Sequence, residues 1–360
     1  MPPVEKISQF ASSGQNTRRV TIGNIAIGGG ERIAVQSMLS LPAGDLQSNV
    51  RQAISLEKAG CDIIRVAVPD MESVKLIHAL KEAVHMPVVA DIHFDYRLAV
   101  ESAAAGADKL RLNPGNIGGD DRVKAVAGVC QKRGIPIRIG VNSGSLEKHI
   151  LAKYGAVTPE AMVESALYHA RLLEKFDFED IVVSMKSHDV ADMMSAYRLA
   201  SQKTDYPLHL GLTHTGPSRI GFIKSAIAIG GLLAEGIGDT IRVSLTDAPE
   251  AEIEAAREIL HAVGLDPNRP NIISCPTCGR ASINVAELTA RVDEALRRCT
   301  KSVTVAVMGC VVNGPGEARE ADIGITGGGG GKCAVFKKGE VAAILPEKEA
   351  LEYLLSEILE

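Results

Sequence analysis

Two thiols three positions apart, Cys275 and Cys278 in SCPTCGR, have the spacing with which a metal-binding knuckle offers two soft ligands to one ion. A structural zinc site repeats such a pair, yet no second CxxC and no HxxxH follows it here. Of the other cysteines, Cys61 begins a β-branched run and Cys130 lies in a segment of apolar helical period, which leaves Cys299, Cys310 and Cys333 as possible partners. Cys310 closes the apolar run VTVAVMG and opens VVNGPGE, where two glycines and a proline turn the backbone and bring Glu317 round beside it. Three thiolates and one carboxylate suit zinc or an iron-sulfur cluster. In a cubane, a labile oxygen ligand would leave one iron free to exchange its ligand for substrate. A zinc knuckle completed by Cys299 or Cys333 and a thioredoxin-type redox pair are the competing readings, the latter requiring a helix start in a different fold.

A second set of residues carries charge where strands should be apolar. Arg65, Arg111, Arg138 and Arg242 each interrupt a β-branched run, Lys186 ends another, and Asp91 and His93 stand two apart on one more, hence on one face. Four guanidiniums and an ammonium converging on one point repel each other unless an anion lies between them, and Arg forks match phosphate oxygens bidentately. A substrate with more than one phosphate follows. Asn113, Asn142, Ser184, Thr213 and Ser244 stand at similar heights as neutral hydrogen-bonding groups. Structural salt bridges are the competing reading for any single Arg, an aldolase-type Schiff base for Lys186, and a core position rather than an acid-base role for His93.

Elements that could gather these side chains recur along the chain. Short β-branched runs occur at 31–38, 61–69, 86–94, 107–115, 135–144, 179–187, 206–216 and 238–247, with helical periodicity between them. Eight βα units in about 250 residues match a (β/α)8 TIM barrel, whose active sites sit at the C-terminal ends of the strands. A doubly wound sheet would use fewer strands. RVTIGN and IAIGGG, ahead of the first unit, read as a hairpin able to cap the barrel's lower end. DPNRPN reads as a linker, giving a barrel domain over 1–266 and a small α+β domain over 267–360, in which VVNGPGEA is expected to be a loop. TGGGGGK lacks the phosphate-loop pattern and reads as a turn.

Composition narrows the function class. The 360 residues are 46% hydrophobic, with a formal charge of −5 and no Trp, which excludes a basic or base-stacking nucleic-acid platform. No apolar run approaches the roughly 20 residues of a membrane span, and residues 1–20 lack a signal-peptide core. The expected location is the cytoplasm, with seven cysteines reduced or metal-bound rather than paired.

The motifs VQSM, ADIHFDYRLA, KLRLNPGNIG, IRIGVNSGSL, SMKS, GIGDTIRVSL, CPTCGR and GCVVNGPGEA, in this order, resemble those of the 4-hydroxy-3-methylbut-2-enyl diphosphate synthases of the non-mevalonate isoprenoid pathway, in their shorter bacterial form. The resemblance implies one 4Fe-4S cluster on Cys275, Cys278, Cys310 and Glu317, with Glu317 exchangeable. It implies that Arg65, Arg111, Arg138, Lys186, Arg242 and Ser244 hold the diphosphate of 2-C-methyl-D-erythritol 2,4-cyclodiphosphate, with Asp91, His93, Asn142 and Asn313 nearby. The ring opens and a hydroxyl leaves as water after two electrons, supplied by reduced flavodoxin or ferredoxin. Members are head-to-tail homodimers in which the cluster domain of one subunit closes over the barrel of the other. The chain departs from the pattern at one point: where the family usually reads TEAG, it has Thr213, His214, Thr215 and Gly216. His214 can exchange a proton but cannot supply the negative charge of the family's Glu. The alternatives to this reading are a sugar-phosphate aldolase or isomerase with a structural zinc domain, and a non-catalytic electron carrier.

Overall fold

The computed structural model describes residues 17–299, 301–312 and 314–359 and divides into two compact units, 1–265 and 266–360. The first opens with a hairpin, β1 (Val20–Ile22) and β2 (Ile25–Ile27). Eight strands follow: β3 (Ala34–Met38), β4 (Ile63–Ala67), β5 (Val88–Asp91), β6 (Lys109–Arg111), β7 (Ile137–Asn142), β8 (Ile181–Lys186), β9 (His209–Leu210) and β10 (Thr240–Ile241). They form one parallel sheet in the order β8-β7-β6-β5-β4-β3-β10-β9. The bridge between Val183 and Leu208 brings its two ends together, so the expected barrel forms.

Helices α1 (Leu46–Lys58), α2 (Val74–Ala83), α3 (Tyr96–Ala104), α4 (Asp120–Arg133), α5 (Lys148–Tyr154), α6 (Pro159–Glu174), α7 (Val190–Lys203), α8 (Ser218–Ser225), α9 (Gly231–Ala234) and α10 (Pro249–Ala262) lie between and after the strands. Their ends carry the expected signals. Thr158 caps α6 by accepting from Ala161 N, with Pro159 next. Asp120 and Asp121 open α4 and Lys132 and Arg133 close it, complementing the helix dipole.

Alternation along the strands decides what faces the barrel axis. Ile64, Val66, Val88, Ala90, Leu110, Ile137, Ile139, Ile181, Val183, Leu208, Leu210 and Ile241 belong to the large core between strands and helices. The intervening positions point inward. The lowest of these, Ala34, Ile63, Val89 and Val182, pack against Val20, Ile22 and Ile27 of the hairpin, which closes the lower end as expected. Above this apolar plug the inward positions turn polar, and there the cations lie.

In the second unit, β11 (Asn271–Ser274), β12 (Thr304–Met308), β13 (Ile323–Gly329), β14 (Lys332–Lys337) and β15 (Glu340–Pro346) form a sheet in sequence order. The first three are parallel and the last two antiparallel. Helices α11 (Val285–Leu296) and α13 (Glu347–Leu359) bury Val285, Leu288, Val292, Ala350, Leu354 and Ile358 with strand residues Val305, Val307, Ile325 and Val335. The sequence reading needs two corrections. The segment expected to be a loop contains α12 (Gly314–Glu320), because Pro315 near the helix start costs no intrahelical bond. A fifth strand, β15, also forms, joined to β14 through Lys338 and Gly339 at φ 50° and 83°, the backbone of a tight two-residue hairpin. The glycine run is a turn of the same kind: Gly330 and Gly331, at φ 59° and 72°, connect Gly329 to its partner Lys332.

Candidate active site

A cavity of about 300 Å3 opens at the C-terminal ends of the barrel strands, lined by Met38, Arg65, Asp91, His93, Arg111, Arg138, Gly140, Asn142, Ser184, Lys186, Leu212, Thr213, Arg242 and Ser244. Every barrel residue singled out from the resemblance as a diphosphate contact is in that set, together with Asp91, His93, Asn142 and Ser184.

One carboxylate organises the wall. Asp91, buried at the end of β5, lies 3.1 Å from Arg65 Nη2 and 3.2 Å from Arg111 Nη1, with His93 Nε2 at 3.5 Å. Burial alone pushes its carboxyl up, but Arg65, the His93 hydrogen bond and Arg111 together hold it well below the usual carboxylate range. The Nδ1 of His93 lies 3.4 Å from Arg111 Nη1, and an Arg nitrogen can only donate. The imidazole therefore accepts at Nδ1 and carries its proton on Nε2, toward Asp91.

Arg111 also donates to the Gly140 carbonyl at 2.7 Å, and its guanidinium lies across the backbone of β7. A Cβ on Gly140 would overlap Nε and stand 2.7 Å from Nη2, so only glycine admits that pose. Gly211 plays the same part for Lys186, whose Nζ would lie 2.9 Å from an added Cβ. Asn113, expected from the sequence to face substrate, is used differently: Nδ2 donates to Gly140 O and Oδ1 accepts from Gly140 N. It braces the strand beneath Arg111.

Arg242 is 3.5 Å from Glu252, on α10. Among the described residues, Arg138 and Lys186 have no carboxylate at ion-pair distance. Arg138 donates to Ser184 Oγ at 2.6 Å, while its Nε and Nη2 stay unpartnered. Burial, then the neighbouring cations, push Arg138 and Lys186 well below their ordinary values. Positive charge is held at this mouth in excess of the two carboxylates that face it, which is the electrostatic condition of a polyanion site.

The C-terminal unit holds the sulfur ligands. Cys275 follows β11 and Cys310 follows β12 by two residues, and these strands are hydrogen-bonded neighbours with Ser274 opposite Val307. Gly309 N donates to Cys275 Sγ at 3.1 Å. A Cβ on Gly309 would lie 2.8 Å from Val285 Cγ2 and 3.0 Å from Ala281 Cβ, so the cysteine loop packs directly on this backbone. Cys278 and Glu317 are exposed and Cys310 is half-buried. Among the described residues, no three His, Cys, Asp or Glu side chains converge closely enough to hold a metal ion. The donor set itself, three cysteine thiols on adjacent strand ends and a turn followed by a carboxylate on α12, fits a sulfur-ligated centre.

Comparison with known proteins decides the family. The GcpE TIM-barrel domain matches residues 17–257, and the GcpE protein C-terminal domain matches residues 271–360. The chain belongs to the GcpE family. Among curated relatives, the 4-hydroxy-3-methylbut-2-en-1-yl diphosphate synthase (flavodoxin) of Clostridium perfringens is 53% identical over 95% of this chain and 97% of its own. That of Caldanaerobacter subterraneus is 55% identical over 95% of this chain and 96% of its own. Among solved structures, 3-dehydroquinate dehydratase from Geobacillus kaustophilus superposes with a TM-score of 0.50 at 14% identity, covering 68% of this chain and 96% of that one. That likeness shows the barrel alone.

Within this GcpE-family chain, one expected barrel site residue, His214, is not gathered with the others. His214 lines a neighbouring cavity of about 570 Å3 that shares Asn142 and Thr213 with the first and adds His188 and Asp192. Its backbone sits at φ 53°, and its Nδ1 is 3.1 Å from Thr213 Oγ1. Asn313 lies outside the described residues. The sequence reading missed Met38, Gly140 and the partner Glu252. Glu252 had no readable signal, since it reaches the mouth from a helix ten residues beyond Arg242.

Proposed function

We propose that this chain is the oxidoreductase that opens 2-C-methyl-D-erythritol 2,4-cyclodiphosphate reductively and dehydroxylates it to (E)-4-hydroxy-3-methylbut-2-enyl diphosphate, an isoprenoid precursor, with reduced flavodoxin as electron donor. The observation that carries this reading is the cationic cavity, five basic side chains against two carboxylates, in a chain whose relatives bear the name of that synthase.

Arg65, Arg111, Arg138, Lys186 and Arg242 take the diphosphate oxygens, and burial keeps water from screening them. Asp91 fixes Arg65 and Arg111 in place on the cavity wall. Ser184, Ser244 and Asn142 complete the hydrogen bonds to the anion, and Asn313 belongs to the same set by resemblance. His93, protonated on Nε2 and oriented by Asp91, stands at the rim as the group able to pass a proton. His214, in the adjoining cavity, is the second proton exchanger, in place of the family's Glu. Cys275, Cys278, Cys310 and Glu317 would hold a 4Fe-4S cluster, which when bound supplies low-potential electrons and one exchangeable iron site. A head-to-tail homodimer in the cytoplasm belongs to the same reading.

The test is an anaerobic assay with reduced flavodoxin on the purified protein. Arg111→Glu is expected to abolish turnover while the visible cluster absorbance stays intact, and Cys310→Ser to remove the absorbance itself. A colourless, zinc-containing protein would favour a sugar-phosphate aldolase or isomerase and overturn the assignment.

A further inference from the structure

One layer below the cavity, a second group of polar side chains faces the barrel axis. Lys109 stands two residues before Arg111 on β6, Arg138 two before Gly140 on β7, His209 two before Gly211 on β9 and Gln36 two before Met38 on β3, so all four point inward, with Arg138 reaching the cavity floor. All are essentially inaccessible to solvent, at 0%, 1%, 0% and 1% exposure. Each also has polar atoms without a partner: Lys109 Nζ, Arg138 Nε and Nη2, His209 Nε2, and both amide atoms of Gln36. His209 turns its other nitrogen to Thr240 Oγ1 at 2.7 Å.

The protein supplies no counter-charge at this level. The buried carboxylates among the described residues are Asp91, Asp239 and Glu252. Asp91 serves Arg65 and Arg111, Glu252 serves Arg242 and Leu245 N, and Asp239 serves Leu208 N and Thr17. An Arg cannot shed its proton in a protein interior, and an unpaired buried cation costs several kcal/mol. The free atoms are mostly donors: ammonium, guanidinium and amide N–H groups, against a single amide oxygen. Lys109 is in register with Val89 of the apolar plug, and Arg138 is in register with Arg111 at the cavity. Successive inward positions are about 6.6 Å apart along a strand, a depth that suits a monatomic anion better than a tetrahedral oxyanion.

We infer that the barrel interior binds a halide-sized inorganic anion, held by Lys109, Arg138, His209 and Gln36 beneath the substrate cavity and separate from it. The anion neutralises the inner cations and so lets Arg138 present its Nη1 side upward, toward Ser184, in a fixed pose. Chloride is the ion of this class most available to a cell.

Two measurements test the inference on the intact, cluster-loaded protein. In the first, crystals of the unmodified protein in bromide are measured at the bromine absorption edge. A peak within hydrogen-bond distance of Lys109 Nζ and Arg138 Nη2 is expected. Water alone at that level, or a phosphate group of an added diphosphate reaching down into it, overturns a separate anion site. In the second, melting temperature is titrated with chloride against gluconate at constant ionic strength. Chloride is expected to raise it saturably, with at least a tenfold weaker apparent affinity in Lys109→Met. A bromide peak without any chloride-specific stabilisation means an adventitious ion only, and that outcome also overturns the site. Should Lys109→Met fail to fold, the bromide measurement and the unmodified protein's titration still decide.

Discussion

At the scale of single residues, the mouth of the barrel depends on who supports each cation. Arg111 is fixed by three contacts: Asp91, the Gly140 carbonyl and the His93 ring. Gly140 has an ordinary strand backbone, absent from the residues at positive φ, so Gly140→Ala strains no dihedral and acts only through its methyl, which displaces the guanidinium. We expect the variant to fold with an unchanged melting temperature to within a degree or two, and to lose about 10- to 100-fold in kcat/KM, the loss of one or two charge-assisted hydrogen bonds. Asn113→Ala separates the two effects. It strips the partner from the buried Gly140 N–H, so a destabilisation of about 1–3 kcal/mol in urea unfolding should accompany the kinetic loss. The cations themselves were legible in the sequence, because a charge inside a β-branched run contradicts its surroundings. Their supports were not. Nothing in the string KLRLNPG says that Asn113 turns back on a neighbouring strand instead of facing substrate, and Lys109, two positions before Arg111, was visible by alternation but gave no sign of being unpartnered.

At the scale of elements, the barrel closes between β8 and β9, where the sheet ends meet through the bridge from Val183 to Leu208 and the bond from Thr213 N to Ser187 O. A helix braces it. Tyr197, wholly buried on α7, accepts a hydrogen bond from Met185 N on β8 and donates to His209 O on β9. Burial pushes its phenol well above the ordinary tyrosine range, which keeps it a donor at any working pH. Tyr197→Phe leaves both backbone groups without that partner and should cost about 1–3 kcal/mol. Amide exchange of residues 183–186 and 208–210 should quicken more than that of β4 to β7, and uniform exchange across the barrel would count against the seam. The sequence foretold all eight barrel strands and the lower hairpin because alternating strands and Gly-capped helices leave period and punctuation. It missed α12 because Gly-Pro-Gly reads as a turn, although proline is tolerated in a helix's first turn. It missed β15 because an edge strand exposed along most of its length carries no burial signal.

At the scale of the whole molecule, the barrel unit is built around charge it cannot neutralise alone, and its stability should follow pH accordingly. Lys186 is pushed well below the usual lysine value by burial and then by nearby arginines. Between that lowered folded value and the unfolded value of about 10.4, the unfolded chain binds more protons, so stability rises with pH. Asp91, held low, contributes stability present above the unfolded carboxylate value of about 3.9 and lost only as pH falls toward its depressed folded value. Asp239, raised to about 6 by burial, works the other way between about pH 4 and its own value. Above about pH 8.5, where unfolded thiols ionise, buried Cys61 and Cys130, each pushed up to about 12, begin to oppose the Lys186 effect. The clean window therefore runs from just above pH 6 to about pH 8.5. Ligand-free protein should gain melting temperature across it, whereas inorganic pyrophosphate, by favouring the charged form of Lys186, should raise the curve and flatten it. Binding would then take up protons, read by calorimetry in buffers of different ionisation enthalpy. A pyrophosphate-bound protein whose melting temperature climbs as steeply with pH as the free one would mean that the anion does not reach Lys186.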